Sequence, residues 1–278
     1  MPLSLHPLEQ LPVAALRIEG AMLSDPGLLR EVNEDRCAYQ LQRAGADRAI
    51  FVVADGMGGH VAGEQASEIA CAAVMRHFLD ETHPLEMLAT AFRDANQGVW
   101  GRAQAEPALA GMGTTLTAVV VDRGQGYFAH VGDSRLYGMR GSLLRQFTDD
   151  QTVVAQLVRD GQLTAEDAAQ HPHRHVLLSA VGTQPDIEPF LSPGSLQLQP
   201  GDTFLLCSDG LTDGVSDATI ARLLPEGDPF EVCNKLIAAA LEAGGHDNVT
   251  VGVFRVLTGG DDAADLTTTR VPGRNGGP

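Results

Sequence analysis

Three times in this chain an apolar run of the kind that makes a fully buried strand stops on an aspartate. Ala49-Ile50-Phe51-Val52-Val53-Ala54 leads into Asp55, and the glycine-rich Gly56-Met57-Gly58-Gly59-His60 follows at once. Tyr127-Phe128-Ala129-His130-Val131-Gly132 leads into Asp133, and Phe204-Leu205-Leu206-Cys207-Ser208 into Asp209-Gly210. A fourth aspartate, Asp247, sits in Gly244-Gly245-His246-Asp247-Asn248, directly before the strand-like Val249-Thr250-Val251-Gly252-Val253-Phe254. A buried strand fixes the carboxylate at its end, and the glycines let another group approach the backbone closely. Each Asp-Gly taken alone reads as a turn, since both residues favour turns for local reasons. Four aspartates at the ends of buried strands read as a rigid carboxylate cluster.

Like charges crowded in a low-dielectric cleft do not all stay ionised without a cation. All-oxygen ligands suit magnesium, manganese or calcium rather than zinc. The formal net charge of −17 disfavours nucleic acid or an anionic membrane as partner and is compatible with a metal-loaded site. No apolar run reaches transmembrane length, and the first residues lack the basic start of a signal peptide. Cys37, Cys71, Cys207 and Cys233 form no Cys-x-x-Cys pair and read as reduced thiols of a cytoplasmic protein.

The periodicity orders the chain. Residues 13–23, 36–41 and 49–54 read as strands, and residues 62–78 and 85–99 as two amphipathic helices whose apolar stripes face a core. From 114 to 147 strands return with short Gly-containing turns, which implies hairpins and antiparallel pairing. Residues 150–170 read as a more polar helical stretch broken at Gly161, inside an excursion over 148–185 close to the site. Strands follow at 187–192, 195–199 and 202–208, helices at 218–224 and 229–243, and a closing strand at 248–257. The segment 258–278 is rich in Gly, Asp and Thr without apolar periodicity and reads as a disordered tail. Its Thr267-Thr268-Thr269-Arg270 is a candidate kinase target, with a frayed terminus as the plainer reading. Hairpin-linked strands with helices in pairs predict an α+β layering and one domain over residues 1–257.

Other motifs carry less. Gly111-Met112-Gly113-Thr114-Thr115 precedes a strand instead of opening a helix, so it reads as a tight turn and not a nucleotide loop. Gly132-Asp133-Ser134 lacks the Gly-x-Ser-x-Gly elbow and a histidine base, and the one Asp-x-x-His, Asp80 to His83, falls at a helix end. His171, His173 and His175 alternate and could share a face, but no cysteine or fourth ligand lies near for zinc. They read as a solvated loop or as polar lining of the site. Arg30, Glu34 and Asp35 suit a phosphate clamp, because a guanidinium fork bonds two oxygens at once; the alternative is a surface ion pair.

Taken in order, the segments resemble the metal-dependent protein phosphatase family, the type 2C serine/threonine phosphatases, in its bacterial form. The segments are Arg30-x-x-Asn33-Glu34-Asp35, Ala54 to His60, Gly111 to Thr115, Val131-Gly132-Asp133-Ser134-Arg135, Cys207 to Leu211 and Gly245 to Thr250. The resemblance implies a four-layer α-β-β-α sandwich, two antiparallel sheets flanked by helix pairs, with a flap insertion near a metal site at one edge. It implies two Mn²⁺ or Mg²⁺ ions and a third, weakly bound ion. The residue matching Asp55 bridges two ions and the carbonyl matching Gly56 adds a ligand, with Asp209 and Asp247 as further ligands of the first ion. Glu34 serves the second ion, and Asp133 with Asp209 the third. Asp35 orients the site and Arg30 grips the substrate phosphate. The implied reaction is hydrolysis of phosphoserine or phosphothreonine by a water that bridges the ions. The leaving oxygen needs a proton. Where members from higher organisms use histidine this chain has Met57, so His60 and a water stand as equal candidates. A second departure is Asp150-Gln151-Thr152, where the family shows Asp-His-Ser. The implied partners are phosphorylated proteins, targets of a serine/threonine kinase and the kinase itself, in cytoplasmic signalling. Two alternatives stand beside it: a catalytically weak phosphoprotein-binding scaffold of the same fold, and a metal-dependent hydrolase of small phosphoesters.

Overall fold

Within each apolar run, neighbouring side chains point to opposite faces of a sheet. Ile50, Val52 and Ala54 therefore enter one core, and Ala49, Phe51 and Val53 another. Such a strand has two apolar faces and needs a layer on each side. The computed structural model, which describes residues 16–41, 48–59, 61–79 and 82–259, supplies both layers.

The elements in chain order are β1 (Leu16–Asp25), β2 (Arg36–Leu41), β3 (Arg48–Ala54), β4 (Gly56–Met57), α1 (Val61–His77) and α2 (Pro84–Ala105). Then come β5 (Gly113–Thr114), β6 (Leu116–Asp122), β7 (Gln125–Val131), β8 (Arg135–Arg140), β9 (Leu143–Gln146), α3 (Val153–Arg159) and α4 (Ala165–Ala169). The chain goes on through β10 (Phe190–Leu191), β11 (Leu196–Gln197), β12 (Thr203–Cys207), α5 (Asp209–Thr212), α6 (Asp217–Leu223), α7 (Pro229–Glu242) and β13 (Val249–Thr258). One sheet runs β1-β13-β12-β8-β9 and the other β10-β7-β6-β3-β2, with β11 also on β7; the pairings are antiparallel.

Three cores separate four layers. The first packs α1 and α2 on the β3/β6/β7 sheet, through Ala66, Ala70 and Val74 of α1 and Leu88, Phe92 and Val99 of α2. The second lies between the sheets, and the third packs α5, α6 and α7 on the β12/β13 sheet. In the middle layer Phe51 stacks between Tyr39 at 5.6 Å and Phe254 at 4.5 Å, and Phe254 stacks on Phe204 at 4.7 Å. Phe51 is fully buried, so Phe51→Ala costs about 3–5 kcal/mol. Helix ends follow their sequences: Pro229 opens α7 behind an Asp228/Glu231 capping box. His83 caps α2 by accepting from the Leu85 amide.

This is the α-β-β-α sandwich the sequence predicts, with differences of detail. Gly113 and Thr114 form a strand instead of a tight turn, pairing with Gly56 and Met57. α2 runs on to Ala105, with Ala103 of the added turn buried in the first core, and the predicted strands at 187–199 shrink to two-residue pieces on β7. The four-residue helix α5 is too short to show a period. Residues 13–15, His60, Asp80 and nearly all of the 258–278 segment lie outside the described residues. The four cysteines are free. Among the described residues no helix is long and apolar enough to cross a membrane.

Candidate active site

The antiparallel register brings five chain segments to one edge of the sandwich. Cys207 at the end of β12 lies opposite Val251 near the start of β13 and opposite Arg135 at the start of β8. Asp25 ends β1 opposite Val249, and in the other sheet Ala54 ends β3 opposite Arg36 while Val131 ends β7 opposite Leu116. Asp55, Asp133, Asp209, Asp247 and the loop carrying Arg30, Glu34 and Asp35 therefore share that edge.

Asp55, Asp35 and the Glu34 backbone are fixed by neighbours that carry no charge. Asp55 is held through its backbone: its amide donates to Thr115 Oγ1 at 2.9 Å, and its carbonyl accepts from the Thr115 amide at 2.9 Å and from Thr114 Oγ1 at 2.8 Å. Gly56 has no room for a side chain, since a Cβ would stand 2.1 Å from the Gly63 carbonyl oxygen and 2.6 Å from that of Glu34. Ser208 Oγ donates to Asp35 Oδ2 at 2.7 Å and accepts from the Thr250 amide at 2.9 Å. The Asn248 side chain accepts from the Glu34 amide at 2.8 Å and donates to the carbonyls of Pro26 at 2.9 Å and Val32 at 3.0 Å, tying the Arg30 loop to β13. Gly210 approaches so closely that a Cβ would meet the Asn248 carbonyl oxygen at 2.0 Å. Arg30 Nη2 lies 2.7 Å from Asp247 Oδ2 at the solvent side of the edge.

The electrostatics show strain between like charges. Burial pushes Asp55 well above the ordinary carboxylate range, and Asp35, Asp209 and Asp133 push it further. Burial, then Asp209 and Asp150, does the same to Asp133. Burial lifts Asp35 to about 7, against hydrogen bonds from Thr250 and Ser208. For Asp209 burial is the largest influence and acts upward, but the hydrogen bonds with His175 and Asp55 and the charges of His175 and Arg30 together outweigh it, and the group sits below its ordinary value. Among the described residues no donor reaches the buried oxygens Asp35 Oδ1 and Asp209 Oδ1. Buried carboxylate oxygens with no donor, beside acids held out of their ionised form, fit hard cations.

The excursion after β9 forms one wall of the site. The Gln151 side chain accepts from the Gly132 amide at 3.0 Å, and the Gln151 amide donates to the Gly132 carbonyl at 2.8 Å. Arg135 grips Asp150 through two bonds of 2.8 and 2.6 Å. Of the three alternating histidines, His171 and His173 pack on one another with tilted rings 5.6 Å apart. His175 alone reaches the acids, with Nδ1 3.3 Å from Asp209 Oδ2 and Nε2 3.4 Å from Asp213 Oδ2. These three residues offer a nitrogen and two oxygens within 4.8 Å of one another.

Sequence reasoning missed Asp213, although the four-residue step from Asp209 was a readable signal once a helix was assigned there. It also missed Thr115, Ser208 and Asn248 as supports; each stands beside a predicted acid or its turn. His60 lies outside the described residues.

Fold and site together define a double-sheet sandwich with an oxygen-rich acidic centre and an arginine on one edge. A profile of the protein phosphatase 2C family matches residues 30–241. PstP, a serine/threonine protein phosphatase of Mycobacterium tuberculosis (strain ATCC 25618 / H37Rv), is 43% identical over 241 residues, 85% of this chain and 45% of PstP. The chain thus spans about half the length of that curated relative. The protein phosphatase PhpP of Streptococcus pneumoniae (strain ATCC BAA-255 / R6) is 36% identical over 242 residues, 85% of this chain and 96% of PhpP. A crystal structure of the PstP catalytic domain in complex with two manganese ions superposes with a TM-score of 0.77 at 40% identity, covering 87% of this chain and 99% of that one. The S. agalactiae serine/threonine phosphatase gives 0.79 at 33% identity, covering 86% and 99%. The chain belongs to the protein phosphatase 2C family.

Proposed function

We propose that this chain is a metal-dependent protein serine/threonine phosphatase whose substrates are proteins phosphorylated on serine or threonine. The observation that carries the reading is the edge itself: buried carboxylates pushed out of their ionised form, with orphaned oxygens, beside an exposed arginine. Asp55, the Gly56 carbonyl, Asp209 and Asp247 would hold a first divalent ion, with Asp55 shared to a second served by Glu34. Asp133 and Asp209 would hold a third, where Asp213 and His175 also stand near. Manganese or magnesium bound there would acidify water and neutralise charge on the phosphoryl oxygens.

The chain's own residues do the rest. Arg30, half exposed and kept charged by Asp247, binds the substrate phosphate through its planar fork. Asp35 orients the centre through Ser208, which also binds the β13 amide of Thr250. The proton for the leaving serine or threonine oxygen has His60 as its nearest histidine candidate by sequence. We assign the activity to one domain over residues 1–257, with the flap about 148–185 and a tail 258–278, working in bacterial cytoplasmic signalling against a serine/threonine kinase.

The test is turnover of a phosphothreonine peptide after chelation and after manganese is added back, for wild type and Asp209→Asn. Manganese-dependent turnover that collapses in Asp209→Asn is expected. Turnover that survives chelation, or that persists in the variant, would overturn the reading.

A further inference from the structure

A cavity of about 500 Å³ opens between the flap and the edge of the sheets, within the size range of ordinary ligand sites. Its two sides differ. Val154 and Val158 of α3 with Ala165 and Ala168 of α4 form an aliphatic wall, and Asp133 and Asp209 of the acidic centre form the wall opposite. Arg135 and Asp150 also line it, but they are spent on each other. The other charged residues on the lining are Asp149 and Asp213, which stand with Arg174 and His175.

The aliphatic wall is held in place. Thr152 and Thr164 cap α3 and α4 by accepting from the amides of Ala155 and Asp167, both at 3.1 Å. The double Gln151–Gly132 bond ties the base of α3 to the turn before Asp133. Its depth comes from α4, which offers only methyl groups to the cavity, through alanines. Asp133 and Asp209 belong both to the cavity and to the acidic centre, so the cavity adjoins the place where the phosphate would be held. A small phosphoester would end there and leave the aliphatic wall against water, whereas a phosphopeptide would extend along it.

We infer that this cleft is a specificity pocket that seats an aliphatic side chain of the substrate, a few residues from the phosphorylated one. The inference rests on the phosphatase reading above. It adds a chemical preference in the protein substrate, set by α3 and α4 and not by the acidic centre.

The test uses the full chain with manganese and phosphothreonine peptides of Gly/Ser background. One Leu, or one Glu, is placed in turn at each position from four before to four after the phosphothreonine. p-Nitrophenyl phosphate serves as the gauge of the acidic centre. At one or more positions Leu is expected to lower KM about tenfold, equivalent to about 1.4 kcal/mol, as burial of one aliphatic side chain allows. Glu at the same positions is expected to give no such gain, since a carboxylate does not bury against methyl groups. In Ala168→Trp, which fills the cavity from α4, the ratio of kcat/KM for the best Leu peptide over its Gly parent is expected to fall to about one. Ala165→Trp repeats the test from the next turn should Ala168→Trp not fold, as read by a thermal melt. A flat Leu scan alongside normal aryl phosphate turnover overturns the pocket and leaves the phosphatase reading standing. A Leu preference that persists in both Trp variants overturns it too. Wild type inert on peptide and aryl phosphate alike overturns the phosphatase reading, and the pocket with it.

Discussion

The two sides of the cleft are built on opposite plans. The acidic floor hangs from strand ends, and almost every residue in it is cross-tied: Asn248 alone makes three hydrogen bonds, and Ser208 bridges Asp35 to β13. The flap wall consists of two short helices, with Val154 the single fully buried side chain on them, and it is fastened mainly at its base through Gln151 and the Arg135–Asp150 pair. Geometry that must hold like charges together is placed where the fold is stiffest. The surface that selects among partners is placed where substitution costs the fold least.

Changes to the floor are expected to be severe and changes to the wall mild. Asp55→Asn removes a carboxylate from the most strained position, and kcat/KM with manganese is expected to fall on the order of 10³-fold or more. In the metal-stripped state the same variant is expected to melt above wild type at pH 8, because the buried acid that must be neutralised on folding has gone. A variant that keeps activity would break the contrast at once.

The second prediction concerns pH. In the folded, metal-stripped protein Asp35 is raised from 3.8 to about 7, and Asp55 and Asp133 are raised as well, so the folded state holds protons that the unfolded chain has released. The contribution of Asp35 to stability is complete below the unfolded value of 3.8 and is lost as pH rises through about 7, and those of Asp55 and Asp133 have the same sign. Thermal melts in chelator are expected to fall between pH 5 and pH 8, and manganese is expected to restore far more stability at pH 8 than at pH 5. A chelated protein whose melting point rises over that range would contradict the strain described for the floor.

Asn248→Ala leaves the Glu34 amide and two carbonyls without partners. It is expected to cost about 2 kcal/mol in urea unfolding and about 10- to 100-fold in manganese affinity by calorimetry. On the wall, Gln151→Ala removes one of the two bonds to Gly132, and the expected result is a few-fold rise in peptide KM with kcat retained, at a cost of about 1 kcal/mol or less. His173→Ala, at an exposed position packed on His171, is expected to leave activity and melting point unchanged. An effect there as large as that of Asn248→Ala would show the wall to be as constrained as the floor.

The same contrast governs what could be read from the sequence. The floor was legible because a buried strand in a double-sided sheet has no polar alternation, so an aspartate that ends it stands out; Asp55, Asp133 and Asp209 were found that way. The wall was not. α3 and α4 are too short to establish a period, and nothing in the alternation of His171, His173 and His175 tells which of the three turns inward. The supports Thr115, Ser208 and Asn248 act through hydrogen bonds between residues 42 to 214 positions apart, such as the bond from Glu34 to Asn248, and such pairings have no local signature. The pairing of Gly113-Thr114 with Gly56-Met57 was hidden for the same reason, since a two-residue strand is defined only by its distant partner.

One pairing also sets a timetable. β1 joins β13 along its whole length, from Leu16 opposite Thr258 to Asp25 opposite Val249, so the first strand waits for the last to be synthesised. The β3/β6/β7 sheet, with α1 and α2 upon it, can assemble while the rest of the chain is still on the ribosome. The other sheet cannot close until some 230 residues, about the span from Asp25 to Thr258, have followed β1, which makes its closure a late, long-range and slow event. Asp247 and Asn248 lie just ahead of β13 and arrive with it. A nascent chain therefore carries Asp55 and Asp133 well before it carries Asp247, and the acidic centre is complete only when the last strand is in place.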